Sequence, residues 1–185
     1  MNIYYGGTFD PPTKAHIEII RRLIGNANDN LIVGVTDQKW GSVKSVWNDR
    51  NRPVFSFEQR CKLLRLALNC QGVRAVPIVK QTDRTWRFLT LDMTEPIDAI
   101  VVGQDEWESL NRLEWQFSSL LMERYMFIVM PRGNGISSSQ VREWIVGQHR
   151  NYDGRMAQYI DEPVYEQAMK FYDERNNIET NGDEE

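Results

Sequence analysis

The chain has 185 residues, 41% hydrophobic and 26% charged, a composition that fits a globular protein with one core and excludes disorder, collagen and coiled coil. Its 22 basic and 26 acidic residues leave a net charge of −4, so the strong positive field that a nucleic-acid partner requires is missing. Cys61 and Cys70 form neither a C-x-x-C pair nor a Cys/His cluster, which argues against a disulfide framework and a structural zinc site and fits a reducing cytoplasm.

Short β-rich runs alternate with longer segments of helical spacing. Met1 to Tyr5 places no basic region before an apolar run, and no stretch nears the roughly 18 apolar residues that span a bilayer, so neither a signal peptide nor membrane attachment is expected. Ile3 to Tyr5 predicts a strand, and His16 to Ile24, with Ile17, Ile19, Ile20, Leu23 and Ile24, predicts a helix. A strand at Leu31 to Val35 is followed by a long segment, Gln38 to Pro53, whose Ser, Asn, Arg and Gly residues mark a surface loop and a candidate lid. Next come a helix at Phe57 to Leu68, a strand at Val73 to Val79, a helix at Trp86 to Met93 and a strand at Ala99 to Val102. A helix at Leu110 to Glu123, a strand at Phe127 to Met130 and helices at Ser138 to Val146 and Pro163 to Glu174 complete the order. Such alternation predicts an α/β fold: one domain over residues 1–175, built on an open parallel sheet with helices on both faces. Residues 176–185 lack an apolar face and predict a flexible acidic tail.

Two segments carry phosphate-binding chemistry. The first, Tyr5-Gly6-Gly7-Thr8-Phe9-Asp10-Pro11-Pro12-Thr13-Lys14-Ala15-His16, lies where the first strand gives way to the first helix, the ligand end of an open α/β sheet. Gly6 and Gly7 allow close backbone approach to a phosphate, and the helix that follows attracts anions at its N-terminus. His16 enters that helix near its first turn. Taken alone it reads as a surface or core histidine; after a Gly-Gly loop and a Pro-Pro turn it reads as a phosphate contact. Asp10 suits a turn and a local structural role. The second segment, Gly135-Ile136-Ser137-Ser138-Ser139-Gln140-Val141-Arg142-Glu143, is a serine-rich helix start. Its hydroxyls and N–H groups offer several donors to one anion, and Arg142, one turn beyond Ser138, reaches the same side. A plain serine cap with a solvated arginine is the simpler reading of that segment by itself.

GGTFDPPTKAH resembles the G-x-F-D-P-x-[HT]-x-G-H signature of the nucleotidyltransferases that move a nucleoside monophosphate from ATP or CTP to a phosphate-bearing acceptor. Thr13 takes the place of the signature's His or Thr, His16 that of its second histidine, and Ala15 departs from its glycine. Ile136 to Arg142 is similar to the family's I-S-S-T-x-[IV]-R, with Ser139 for threonine. The resemblance implies a Rossmann-like sheet, His16, Thr13 and Arg142 as catalytic groups, and Gly6, Gly7, Thr8, Phe9, Asp10, Ile136, Ser137 and Ser138 as the nucleotide-binding set. No metal ligand set from the protein is implied; Mg2+ accompanies ATP as substrate.

The acceptor is read from the middle of the chain. Val101-Val102-Gly103-Gln104-Asp105-Glu106-Trp107, with Leu110, Leu113 and Trp115 beyond it, resembles the G-x-D-x-L…L-x-x-W element of the nicotinate and nicotinamide mononucleotide adenylyltransferases, in which an aromatic ring stacks on the pyridine. Thr82-Asp83-Arg84-Thr85-Trp86 is similar to their Y-T-x-D-T-L element, with Gln81 for Tyr and Arg84 for Asp. Thr85, Gly103, Asp105, Trp107 and Trp115 are therefore the expected acceptor-binding residues, with either tryptophan as the stacking ring. Phosphopantetheine adenylyltransferase is the competing assignment: Phe55-Ser56-Phe57-Glu58-Gln59-Arg60 and Ser137 to Glu143 resemble its elements, whereas its R-G-x-R is replaced by Gly103-Gln104-Asp105. The resemblance thus implies transfer of AMP from ATP to a small phosphorylated acceptor, with pyrophosphate released in line, by a cytoplasmic enzyme for which a homo-oligomer is allowed. A nucleotide-binding sensor without turnover is the non-enzymatic reading, and the presence of His16, Ser137, Ser138 and Arg142 speaks against it.

Overall fold

A computed structural model of the chain describes residues 1–24, 30–36, 53–73, 78–82, 96–115, 117–131, 138–147 and 151–181. The helix expected at 86–93, residues 38–52 of the predicted loop, and Thr85, Ile136 and Ser137 lie outside the described residues. By contacts the chain groups into two compact units that alternate along the sequence: 1–8, 18–46 and 77–134 make one, and 9–17, 47–76 and 135–185 the other.

The first unit holds a parallel sheet of five strands, β1 (Asn2–Gly7), β2 (Asn30–Thr36), β3 (Ile78–Thr82), β4 (Ala99–Gly103) and β5 (Met126–Met130), in the order β3-β2-β1-β4-β5. β1 pairs with β2 from Asn2↔Asn30 to Gly7↔Val35 and with β4 from Ile3↔Ala99 to Tyr5↔Val101. Leu31 to Val35 and Ala99 to Val102 are buried at every successive position. Alternate side chains of a strand point to opposite faces, so both faces of this sheet are covered, as continuous Val/Ile/Leu runs predict for parallel strands. The strand order reverses between β1 and β4, and the crevice outside the carboxyl ends of those two strands is where open sheets of this kind take their ligands.

Tyr4 packs in a core cluster with Ile32, Ile100, Val102, Leu110, Leu121 and Tyr125. Its ring lies across the paired glycines Gly6 and Gly34: a Cβ on Gly6 would stand 2.7 Å from Tyr4 Oη, and one on Gly34 would press on the same hydroxyl. Packing against Tyr4 therefore already requires glycine at 6, independently of any phosphate.

The predicted helix over 110–123 is instead two short helices, α3 (Gln104–Asn111) and α4 (Ser118–Arg124). The periodicity of Leu110, Leu113, Leu120 and Leu121 hid the break, and no Gly or Pro marks it. Leu113 (φ 58°) and Phe117 (φ 64°) adopt the left-handed conformation. Side chains take over the local bonding: Ser118 Oγ donates to the Trp115 carbonyl at 2.6 Å, and Glu114 accepts from Ser109 Oγ (2.6 Å) and Arg112 Nε (2.7 Å).

In the second unit α2 (Phe57–Cys70), α5 (Ser138–Val146) and α6 (Glu162–Asn181) pack together, α6 touching both others. Leu63, Leu64, Ala67 and Leu68 of α2 and Val164, Tyr165, Ala168 and Met169 of α6 are buried. Ser56 and Gln59 form a reciprocal capping box at the start of α2, and Gly72, at φ 65°, carries the chain out of its end. α6 continues past the predicted end at Glu174 into the segment expected to be a tail; Gly182 is the first helix-breaking residue after Pro163. α1 (Lys14–Ile24) starts two residues earlier than predicted, which puts His16 in its first turn.

Candidate active site

The candidate residues fall into two groups, one in each unit. In the second unit the loop before α1 is held from within. Phe9 is buried in the left-handed conformation at φ 50°, a strained state for an aromatic residue, and the Asp10–Pro11 peptide bond is cis. The Phe9 ring meets the His16 ring edge-on at 5.1 Å. Asp10 is 1% exposed. Its carboxylate accepts the Val54 and Phe55 N–H groups at 2.8 and 3.0 Å and Arg142 Nη1 at 3.2 Å. Three donors satisfy the buried charge, and a buried carboxylate needs them. Asp10 and Phe9 thus position their neighbours, Asp10 the Val54 and Phe55 N–H groups and Arg142, Phe9 the His16 ring.

His16 Nδ1 lies 2.9 Å from the Thr13 backbone N–H and 3.0 Å from Thr13 Oγ1. A backbone N–H only donates, so Nδ1 is the acceptor and the ring proton sits on Nε2. Thr13 is buried, with its backbone N–H and its hydroxyl both at that nitrogen, and so positions His16. Burial drives the His16 pKa from 6.5 down to about 4, while the residue stays half-open to solvent, so at neutral pH it presents an uncharged Nε2–H.

Arg142 joins the serine-rich helix to this loop. Besides Asp10, it donates through Nη2 to Ser139 Oγ at 2.8 Å. Ser138 opens the nine-residue α5, whose first N–H groups have no acceptor within the helix and point their dipoles toward an incoming anion. Lys14 is taken up structurally: its Nζ donates to the Ala157 carbonyl (2.7 Å) and pairs with Asp161 (3.2 Å), whose two oxygens also accept from Gln71 Nε2 at 2.8 Å.

In the first unit Gly6, Gly7 and Thr8 are half-buried at the carboxyl end of β1, where the Gly7 carbonyl accepts from Thr36 Oγ1 at 3.3 Å. Gly103 ends β4 and α3 begins at once. Asp105, the expected acceptor carboxylate, sits exposed in the first turn of α3. The next residue, Glu106, turns back to the strand end, its Oε2 accepting the Gly103 N–H at 2.9 Å. Surrounding protein raises the Glu106 pKa above the ordinary carboxylate range, against the Gly103 hydrogen bond and with a further push from Asp105. Burial and then the Glu106 charge raise the Tyr5 phenol in turn. Glu106 and Tyr5 were missed in the sequence; the available signal was a Glu three residues after a glycine that ends a strand, the N3 position of a helix. Trp107 and Trp115, both half-buried, pack against the Tyr4 core cluster, and Trp107 lies 5.4 Å from the Phe127 ring. Both rings are therefore already engaged by the core.

No helix among the described residues is long and apolar enough to cross a membrane. The profile of the cytidylyltransferase-like family matches residues 4–144. The chain is 27% identical over 142 residues to a protein of Lactococcus lactis subsp. cremoris named phosphopantetheine adenylyltransferase, covering 75% of this chain and 79% of that one. To a protein of Acholeplasma laidlawii named "Probable nicotinate-nucleotide adenylyltransferase" it is 31% identical over 141 residues, covering 72% and 69%. The solved nicotinic acid mononucleotide adenylyltransferase of Plasmodium falciparum, complexed with NaAD, shares the fold with a TM-score of 0.61 at 16% identity, over 93% of this chain and 97% of that one.

Proposed function

The chain is a nucleotidyltransferase of the cytidylyltransferase-like family, and from that premise we propose that it transfers AMP from ATP to nicotinamide or nicotinate mononucleotide and releases pyrophosphate. The observation that carries the transfer chemistry is the Asp10–Arg142 pair, which joins the His16 loop to the start of α5 within one unit. The acceptor phosphate oxygen attacks the α-phosphorus of ATP, and no protein nucleophile is needed. Catalysis is then positioning plus stabilisation of charge developing on the phosphates. His16 Nε2–H, the α5 N-terminus and Arg142 are the donors for that charge.

Arg142 is balanced by Asp10 and Lys14 by Asp161, so these groups supply direction more than net positive charge. A magnesium ion carried in on the triphosphate fits this donor set. The site's buried carboxylate, Asp10, already accepts three N–H donors, so the ion would be held by phosphate and water and would supply neutralisation of the polyphosphate.

Acidic Asp105 and Glu106 at the end of β4 favour the pyridine mononucleotides, because carboxylates suit ribose hydroxyls or a carboxamide and oppose an acceptor phosphate at that place. Phosphopantetheine is the second reading, favoured by the Lactococcus relative. Pyrophosphate release from ATP and magnesium with each of the three acceptors decides between them. Turnover with a mononucleotide and none with phosphopantetheine is the expected result; preference for phosphopantetheine would sink the pyridine reading and leave adenylyl transfer intact.

A further inference from the structure

The Val54–Phe55 segment that holds Asp10 is itself held from its other side. Its two N–H groups donate to the carboxylate, Val54 to Oδ2 at 2.8 Å and Phe55 to Oδ1 at 3.0 Å. Its two carbonyls each accept from an arginine. Arg60 Nε, buried in the first turn of α2, donates to the Phe55 carbonyl at 3.2 Å, and Arg175 Nη1, exposed on α6, donates to the Val54 carbonyl at 2.9 Å. The Val54 carbonyl and the Phe55 N–H belong to one peptide unit. A continuous run of hydrogen bonds therefore leads from Arg175 through that peptide to Asp10 Oδ1, and from Asp10 Oδ2 to Arg142 Nη1 at 3.2 Å. All of these residues lie within the second unit. Arg175 stands one residue past the predicted end of its helix, on the stretch by which α6 continues to Asn181.

We infer that Arg175 is a positioning residue for ATP: bound to the Val54 carbonyl, it fixes the peptide that fixes Asp10, and through Asp10 the guanidinium of Arg142. The role rests on the proposal that Arg142 serves the nucleotide. Hydrogen bonds in a chain polarise one another, so a cationic donor on a carbonyl makes the N–H of the same peptide a better donor. Arg142 reaches Asp10 with one guanidinium nitrogen and Ser139 with the other, so its direction follows the carboxylate. Without Arg175 the Val54 carbonyl turns to water. That exchange at an exposed site costs little stability, yet it loosens the grip on a carboxylate that is 1% exposed. Loss of Arg175 is thus read in nucleotide binding before it is read in folding.

Arg175→Met keeps a long unbranched stem and good helix propensity but removes the donors, whereas Arg175→Lys keeps a cation that donates. The test measures the Kd for ATP with magnesium by titration calorimetry, which needs no acceptor, alongside the thermal midpoint. Arg175→Met should weaken ATP binding about three- to tenfold with the midpoint little changed, and Arg175→Lys should recover most of that loss. In an Arg142→Ala background the same Arg175→Met change should weaken ATP less than about twofold, because the two act on one contact. Val54-Phe55 is the one Val-Phe step in the sequence, so 13C′-valine and 15N-phenylalanine labelling isolates a single correlation from this peptide. Its carbonyl and amide-proton shifts should both move upfield in Arg175→Met and return toward wild type in Arg175→Lys. A correlation that does not move, an unchanged ATP Kd in Arg175→Met, or an equal loss with and without Arg142 would overturn the positioning role and leave the part played by Arg142 standing. Wild-type ATP affinity in Arg142→Ala alone would remove the reading of Arg142 and the role of Arg175 with it.

Discussion

Asp10 and Arg142, 132 positions apart in the chain, meet at 3.2 Å with the carboxylate 1% and the guanidinium side chain 17% exposed. The pair ties the aromatic-lined loop that carries His16 to the helix start that carries the serines. Because Asp10 also takes the Val54 and Phe55 N–H groups, it fixes the lead-in to α2 as well.

Removing the Asp10 charge should therefore affect both stability and nucleotide use. Asp10→Asn keeps an acceptor for one N–H but leaves Arg142 uncompensated, and about 1–3 kcal/mol of stability should be lost in urea unfolding. Arg142→Ala should mainly raise the KM for ATP, with a fall in kcat if its contact tightens in the transition state. In a double-mutant cycle the coupling should reach at least about 0.5 kcal/mol, as expected for residues in contact; purely additive effects would show that the two act independently.

The paired glycines under Tyr4 give a graded expectation. Gly6→Ala and Gly34→Ala should each destabilise by about 1–3 kcal/mol through overpacking, Gly34→Ala more. A Cβ on Gly6 meets chiefly the Tyr4 hydroxyl, at 2.7 Å, whereas one on Gly34 also stands 2.6 Å from Tyr4 Cε2. Adding Tyr4→Phe should thus relieve Gly6→Ala to a larger extent than Gly34→Ala, as read by denaturant midpoints of the single and double variants. Equal relief at both positions would contradict this packing.

Local features of the chain were legible because hydrophobic period and turn chemistry act over a few residues. Four of the five strands, the helix at Ser138 to Val146 and the placement of His16 at a strand-to-helix junction follow from that; the strand expected at Val73 to Val79 is met only at its end, because β3 runs Ile78–Thr82 and the Val73 N–H donates back to the Leu68 carbonyl at 2.9 Å. What was hidden depends on partners far away in sequence. Asp10 reads as a turn residue until Val54, Phe55 and Arg142 arrive around it. Glu106 is indistinguishable from its neighbour Asp105 until the helix starts directly at Gln104 and turns one carboxylate back on Gly103. The break at 112–117 needed side-chain bonds among Ser109, Arg112, Glu114, Trp115 and Ser118 that periodicity does not encode.

The protonation state of His16 makes the sharpest test of the site. With Thr13 N–H donating to Nδ1, the ring should be the neutral Nε2–H tautomer. The chain has two histidines, so 15N-histidine labelling with a His149→Gln variant leaves one ring to observe. Its Nδ1 should show the shift of an unprotonated nitrogen and its Nε2 that of a protonated one, with no titration between pH 7 and 5; protonation near the ordinary value of about 6.5 would refute the assignment. The sign for stability follows. Between 6.5 and about 4 the unfolded chain binds a proton that the folded chain does not, so this contribution is intact above 6.5 and is lost as pH falls toward 4. At about 1.4 kcal/mol per unit the loss reaches on the order of 3 kcal/mol, and it should be absent from His16→Gln over the same pH range. In turnover, His16→Ala should fold and lose roughly two to four orders of magnitude in kcat, the scale expected for a donor aimed at developing phosphate charge. His16→Gln, which retains an N–H, should recover part of that loss; a His16→Ala enzyme of wild-type activity would show that the ring's Nε2–H takes no part in the transfer.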